Sequence, residues 1–309
     1  FVLSGFLITY LILSEQDYCG QVNVKAFYLR RILRIWPLYY ALIMIAFLLI
    51  PFFYRIHLPN PLYYIFFLAN FDVLKNPDGT GITNVMWSVA VEEQFYLVWP
   101  LLFYFFRRKY QLYLFIGLIS LSAAFRLVNR QNSMVQHFHT LSVLSELTIG
   151  GLAAYSVISF TWLRRLFIGM SRWQIILAYF IILPTLLFSR TLYANEMFGR
   201  VLLGGILAFV ILEQNFSKNS FYKMGRFLRI SSLGKYTYSL YLLHPLVIFF
   251  VSVTADSLNI RKSTRGSGVT LALTSFCLSI IICYLSYHYY EKPFLTLKQR
   301  FSLLNTKTV

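Results

Sequence analysis

The sequence predicts an all-α protein, a polytopic bundle of helices that cross a membrane several times. Hydrophobic residues make up 58% of the chain and charged residues only 13%, whereas soluble domains contain about 25% charged residues. Apolar segments close to the roughly 20 residues needed to cross a bilayer recur along most of the chain. Basic residues are concentrated in alternate loops, as expected for loops that stay in the cytoplasm.

Nine apolar segments are expected to cross the membrane, and one further segment is expected to be re-entrant or interfacial. The segments lie near 1–13, 36–53, 62–74, 85–106, 110–125, 141–160, 173–189, 197–213, 233–253 and 268–289. Segment 62–74 is short, and if it crossed, the basic run at 107–109 would lie outside. We therefore interpret this segment as the one that does not cross.

The start of the chain predicts a fragment. Phe1 lies within an apolar run and no initiator Met precedes it. A signal peptide would begin with basic residues and end at a small-residue cleavage site, and the first residues have neither feature. We expect that a tenth membrane helix precedes Phe1.

Charge and cysteine content exclude several classes of protein. The formal net charge is +17, which in a chain this apolar indicates basic cytoplasmic loops and not nucleic-acid binding. The three cysteines are Cys19, Cys277 and Cys283. Their unrelated spacings predict neither a disulfide framework nor a metal site.

Two adjacent glutamates, Glu92 and Glu93, lie near the middle of the apolar stretch 85–106. A carboxylate at the centre of a membrane helix costs roughly 3 kcal/mol. No Lys or Arg lies between Trp87 and Phe106, so an ionic partner must come from another segment. Either the pair holds the bundle together through hydrogen bonds, or it forms a polar functional site, which intramembrane charge favours.

A second polar stretch is YLRRILRIWPLYY at 28–40. Arg31 and Arg34 are three residues apart, so on a helix both guanidinium groups lie on one face where it enters the membrane. They could be interfacial anchors that set the topology. Alternatively they bind phosphates or a carboxylate, which arginine contacts in a bidentate manner. A cytoplasmic, phosphate-rich donor such as acyl-CoA would suit this position.

His244 is a third candidate. It follows a tyrosine-rich stretch and directly precedes Pro245, which is expected to loosen a helix at this point. A histidine inside a bundle is often simply hydrogen-bonded. The alternative is a residue that orients substrate or transfers a proton, because imidazole titrates near neutral pH.

The segments contain one further carboxylate, two adjacent glycines and an oppositely charged pair near the end of the last segment. Glu146 is a further intramembrane carboxylate, and Gly150 and Gly151 after it are expected to permit close helix packing. Glu291 and Lys292 near the end of the last segment are interpreted as interfacial charges.

Five stretches taken together resemble the membrane acyltransferase 3 family. They are FVLSGFLIT at 1–9, YLRRILRIWPLYY at 28–40, WSVAVEEQFYLVWPLL at 87–102, YSLYLLHP at 238–245 and EKPF at 291–294. Members of this family are integral enzymes of the bacterial inner membrane that O-acylate carbohydrates such as exopolysaccharide, O-antigen or peptidoglycan. The resemblance implies ten membrane helices, an acyl-CoA donor, usually acetyl-CoA, and a carbohydrate acceptor.

The resemblance also assigns roles to the candidate residues. The arginine pair of the family corresponds to Arg31 and Arg34, which would bind acyl-CoA. Its WSxxxEEQFY segment corresponds to Glu92 and Glu93, and its tyrosine-rich segment to His244, so these three are the candidate catalytic residues. The predicted topology places the glutamates in the outer half of their helix, nearer the acceptor side than the arginines.

One departure from the family concerns its catalytic histidine, which belongs to a helix upstream of Phe1. We therefore expect the 309-residue chain to be incomplete for catalysis. The acyltransferase domain is predicted at 1–295, with a basic cytoplasmic tail at 296–309.

A different class of function stays open, a polytopic transporter or flippase for a polysaccharide precursor. In that case Glu92, Glu93 and Glu146 would form a pathway through the bundle. Transporters often contain inverted repeats, and the sequence has no evident repeat.

Overall fold

A computed structural model describes residues 1–54, 58–76, 81–187, 196–260 and 265–301. Within these ranges the chain is helical and contains no strand, which confirms the predicted fold class. The helices are α1 (Val2–Cys19), α2 (Val24–Met44), α3 (Ile50–Phe53), α4 (Pro61–Ile65), α5 (Ala69–Lys75), α6 (Met86–Phe105), α7 (Arg108–Val128), α8 (Ser133–Phe138), α9 (Thr140–Ser159), α10 (Thr161–Gly169), α11 (Arg172–Leu187), α12 (Glu196–Phe216), α13 (Leu228–Leu233), α14 (Thr237–Ser257), α15 (Arg265–Leu285) and α16 (Lys292–Gln299). Of the predicted tail, residues 302–309 lie outside the described residues.

Six helical segments of the described chain are long and apolar enough to cross a membrane. They are Val24–Phe52, Arg108–Val128, Ser133–Ser159, Gly199–Phe216, Ile230–Ser257 and Gly266–Gln299. The consecutive helices α10 and α11, which meet at 95°, make a seventh if they form one bent span. The protein is thus a multi-pass membrane protein, but the predicted count of nine spans is not confirmed. Helices α1 and α6 fall short because acidic and amide residues, at 15–17 and 92–94, lower their hydropathy.

Segment 62–74 forms two short helices, α4 and α5, and not one long one. The side chain of Asn60 caps α4 by accepting a hydrogen bond from the Leu62 N–H at 3.0 Å. The chain turns at Phe67, whose φ of 54° lies in the left-handed region. The Tyr64 hydroxyl then donates to Asp72 at 3.2 Å and connects the two helices.

The chain divides into two compact units, and each is built from two separate stretches of sequence. The first unit comprises Phe1–Val24 and Gln94–Ser231, and the second comprises Lys25–Glu93 and Ser232–Val309. The boundary falls inside α6, between Glu93 and Gln94. One continuous helix therefore contributes residues to both units.

Helices α1 and α9 of the first unit pack backbone against backbone. A Cβ atom at Gly150 would overlap the carbonyl oxygen of Val2, and one at Gly5 would overlap that of Leu147. A Cβ atom at Gly151 would lie within 2.9 Å of aromatic carbons of α6 and α7. The prediction that Gly150 and Gly151 permit close helix packing is confirmed.

Candidate active site

The candidate site consists of Arg31, Arg34, Glu92, Glu93 and His244, and all five residues lie in the second unit. The arginines belong to α2, the glutamates to α6 and the histidine to α14. Each side chain is half-buried. The fold therefore gathers into one unit five residues that are spread over more than 200 positions of sequence.

Glu93 is held between an indole and a guanidinium group of α2. The Trp36 Nε1–H donates to Glu93 Oε2 at 3.1 Å, and Arg31 is close enough to attract the carboxylate electrostatically. The other carboxylate oxygen, Oε1, is buried and accepts no hydrogen bond from the described residues. A buried acceptor of this kind is costly unless a donor reaches it. A carboxylate oxygen of this kind can accept a hydrogen bond from a hydroxyl group.

Glu92 faces a different group, the Tyr241 hydroxyl of α14. The two residues interact electrostatically, and the Tyr241 hydroxyl is hydrogen-bonded to the Ser88 hydroxyl at 2.5 Å. It also donates to the Val85 carbonyl at 3.3 Å. No role was predicted for Tyr241, although its position three residues before His244 places both on one helix face.

His244 has a defined tautomer. Its Nδ1 lies 3.1 Å from the Leu240 carbonyl oxygen and 2.9 Å from that of Tyr241. A carbonyl oxygen only accepts hydrogen bonds, so Nδ1 carries the proton. In the neutral imidazole Nε2 is then an acceptor, which is what a residue needs in order to accept a proton or orient a hydroxyl group.

Two cavities of the second unit share His244 in their walls. The larger, about 660 Å³, lies between α14 and α15 and is mostly apolar, with hydroxyl groups of Thr237, Ser252, Ser275 and Ser279 in its lining. The smaller, about 470 Å³, reaches Val85 at the start of α6. The imidazole of His244 thus lines both cavities, and Tyr241 lines the larger one as well.

The two arginines are supported by aromatic rings. The Arg34 guanidinium lies 6.0 Å from the ring centroid of Tyr238, and the Arg31 guanidinium 5.7 Å from that of Phe27. The Tyr238 hydroxyl donates to the Ile35 carbonyl at 2.8 Å, which fixes its ring beside α2. A ring occupies the face of a guanidinium group and not its N–H edge.

Glu291 differs from its interpretation as a simple interfacial charge, because its side chain is buried within the protein. It is 4% exposed, and its Oε1 accepts from the Ser239 hydroxyl at 2.5 Å and the Ser286 hydroxyl at 3.1 Å. The π-helical turn Ser286–Glu291 aims the side chain at α14, and such turns are difficult to infer from sequence. Lys292, the next residue, is exposed.

Glu146 belongs to a separate group, the first-unit cluster of Arg126, Glu146 and Arg200. Arg200 Nη1 lies 3.0 Å from Glu146 Oε1, and Arg126 Nη1 lies 3.8 Å from Oε2. The Ser145 hydroxyl also donates to Oε2 at 2.8 Å. Neither arginine was predicted as a partner, since neither is near Glu146 in sequence.

The candidate site combines an acceptor oxygen, an imidazole and an arginine pair. These groups fit hydroxyl orientation and anion binding. Across the part of the chain that the structure describes, no three His, Cys, Asp or Glu side chains come together as a metal site.

Comparisons with known proteins find that this chain is similar to acyltransferases. A family model described as an acyltransferase domain matches residues 1–288. The O-acetyltransferase OatA of Staphylococcus aureus is 25% identical over 323 aligned positions, which cover 95% of this chain and 51% of that protein. The peptidoglycan O-acetyltransferase OatA of Listeria monocytogenes is 33% identical over 139 positions, 40% of this chain and 22% of that protein. The chain thus spans about half the length of these curated relatives or less, and no solved structure matches it.

Proposed function

We propose that this chain, which belongs to the acyltransferase 3 family, is the membrane part of a bacterial inner-membrane O-acetyltransferase. It would move an acetyl group from acyl-CoA to a hydroxyl group of a carbohydrate such as peptidoglycan, O-antigen or exopolysaccharide. The observation that supports this proposal most directly is that Arg31, Arg34 and Glu93 lie in one unit. In addition, Glu93 Oε1 accepts no hydrogen bond from the described residues. The two relatives named above support the O-acetyl chemistry.

The arginine pair is the proposed donor site. The phosphates of CoA are anions of the shape that guanidinium groups bind best. Arg31 and Arg34 lie on one face of α2, near its first turns, and the predicted topology has this end of α2 on the cytoplasmic side. The acyl-CoA of the cytoplasm would reach them there.

The glutamates and the histidine are the proposed acceptor side. Glu93 Oε1 would accept a hydrogen bond from the acceptor hydroxyl, and Glu92, Tyr241 and His244 would bind or orient the neighbouring hydroxyl groups of the sugar. Orientation of two reactants in this way lowers the entropic part of the barrier. The function of the carboxylates is then positioning at the acceptor.

The reaction is an acyl transfer. The acceptor oxygen forms a bond to the thioester carbonyl carbon, the bond from that carbon to sulfur breaks, and a base takes the proton of the hydroxyl group. The family resemblance implies a histidine for that base. CoA leaves as the thiol after protonation of its sulfur.

Labelled acetyl-CoA tests the proposal on the full-length protein in proteoliposomes that contain a glycan acceptor. Transfer of the label to the glycan is expected, with release of CoA. Transport of the glycan across the bilayer without any label would instead support the transporter and contradict the acyltransferase. Protein inactivated by heat before reconstitution provides the background.

A further inference from the structure

The last described helix, α16, lies along α2 in the second unit. At one end the Tyr290 hydroxyl donates to the Pro37 carbonyl at 3.0 Å. At the other end Arg30 Nη1 donates to the Phe301 carbonyl at 2.9 Å. From Tyr290 to Phe301 the residue numbers rise, whereas the numbers of their partners on α2 fall from Pro37 to Arg30. The two helices are therefore antiparallel.

These two contacts determine which residues of α2 lie beside Lys298. It follows Tyr290 by eight residues and precedes Phe301 by three. The corresponding position on α2, between Pro37 and Arg30, is close to Ile32. Lys298 is therefore level with the candidate donor site, within one turn of each of its arginines.

The electrostatic surroundings of Lys298 agree with this position. The charged groups that act on it are Arg31, Arg34 and Arg30, and each of them repels it. All four cations are half-buried. A half-buried ammonium held next to three guanidinium groups lowers stability in the empty protein, and a bound anion would reverse that effect.

We propose that Lys298 is a further binding residue of this site, which together with Arg31 and Arg34 holds a negatively charged phosphate group. The inference rests on the proposed function, in which that phosphate is one of those of acyl-CoA. The headgroup of an anionic lipid could supply the same chemistry at this depth. The family model ends at residue 288, so Lys298 lies outside the matched region.

The test uses the full-length protein in nanodiscs of zwitterionic phosphatidylcholine, with CoA binding measured by calorimetry. Lys298→Gln is expected to weaken CoA binding by about tenfold or more, as for loss of a charged hydrogen bond. It should also reduce the dependence of the Kd on salt concentration. Lys298→Arg should restore both, and Lys292→Gln, an exposed lysine on the same helix, should leave both unchanged.

Thermal unfolding of the protein without ligand provides a second measurement. Replacement of a lysine that only supports the structure would not raise the Tm. Because three arginines repel Lys298, Lys298→Gln is expected to raise the Tm of the empty protein. A lower Tm combined with unchanged CoA binding would overturn the inference. So would a Lys298→Arg protein that binds CoA as weakly as Lys298→Gln.

A second set of nanodiscs, with phosphatidylglycerol added, distinguishes the two sources of phosphate. If CoA binding to the wild type is the same in both sets, CoA supplies the phosphate. If phosphatidylglycerol weakens CoA binding to the wild type but not to Lys298→Gln, the lipid headgroup also occupies the site.

A wild-type protein that neither binds CoA nor transfers acetyl groups contradicts the proposed function. Equal CoA binding by wild type and Lys298→Gln contradicts the role of Lys298 alone.

Discussion

The two units bury charged side chains in different ways. In the first-unit cluster Glu146 lies between two arginines, one of which, Arg126, is 1% exposed. In the candidate site the charges are half-buried and contact aromatic groups, as Glu93 contacts Trp36 and Arg34 contacts Tyr238. In the first arrangement both carboxylate oxygens of Glu146 lie near arginines, whereas in the second one carboxylate oxygen, Glu93 Oε1, accepts no hydrogen bond from the described residues.

This difference shows that a charge inside a membrane protein does not indicate function by its presence. Glu93 and Glu146 look alike in the sequence, as carboxylates in apolar segments. Their partners separate them, because Glu146 has two arginines within 4 Å whereas Glu93 has an indole and an unsatisfied oxygen. We expect substitutions in the first-unit cluster to affect stability and those in the candidate site to affect binding and transfer.

The largest effect is expected for Glu146→Ala. It leaves Arg126 and Arg200 buried without their carboxylate, which should lower the free energy of unfolding by about 3–5 kcal/mol. Unfolding in detergent, followed by tryptophan fluorescence, measures this loss. Asp17→Ala is the control, because Asp17 pairs with Arg108 at a largely exposed site where about 0–1 kcal/mol is expected. A stable but inactive Glu146→Ala protein would place Glu146 in the functional pathway and break the comparison.

In contrast to Glu146→Ala, Arg34→Ala should affect CoA binding and leave stability nearly unchanged. It removes a charged contact from the proposed donor site, so CoA binding should weaken by about 1.5–3 kcal/mol, with little change in the unfolding temperature. Calorimetry with CoA measures the affinity. Lys25→Ala, an exposed cation in the first turn of the same helix, is the control. Unchanged CoA affinity and unchanged transfer in Arg34→Ala would remove this residue from the donor site.

Glu93→Gln separates charge from hydrogen bonding. The amide oxygen can still accept from Trp36, so the fold should be kept, while the loss of the negative charge should slow acetyl transfer by about tenfold or more. The matched control is Glu213→Gln, a buried glutamate of the first unit that accepts from Tyr179 at 3.0 Å. Initial rates of label transfer compare the two. Equal rates for Glu93→Gln and wild type would show that the carboxylate only supports the bundle.

The smallest effects are expected for two tryptophan substitutions, one in each unit. They compare the loss of a single indole hydrogen bond between the two units. Trp99→Phe removes the bond from Trp99 Nε1 to Thr9 Oγ1, 2.8 Å long and buried in the first unit, which should cost about 0.5–1.5 kcal/mol of stability with transfer retained. Trp36→Phe removes the bond to Glu93 and should reduce transfer more than stability. Unfolding and initial rates are measured on both variants. If the two lose transfer equally, the division of roles between the units is wrong.

Sequence reasoning reached what local spacing determines. The all-helical class, the helix that carries Arg31 and Arg34, and the close packing at Gly150 follow from patterns of a few residues, and the structure confirms them. The partners of Glu146 could not be predicted, since Arg200 is 54 positions away and the choice depends on how helices pack. The same holds for Glu291, whose burial depends on a π-helical turn and on Ser239, 52 positions earlier. The predicted count of nine spans is not confirmed, because polar residues lower the hydropathy of α1 and α6, although both helices are long enough to cross a membrane.

The discontinuous make-up of the second unit determines when the candidate site can exist during biosynthesis. Glu93 leaves the ribosome 145 residues before Tyr238, which at ordinary elongation rates is roughly 10–30 s. Throughout that interval the arginines and glutamates are in the nascent chain without the tyrosines and histidine of α14. The site is completed only when the last helices are synthesised, so a prematurely terminated chain contains the arginine pair and both glutamates but not the site.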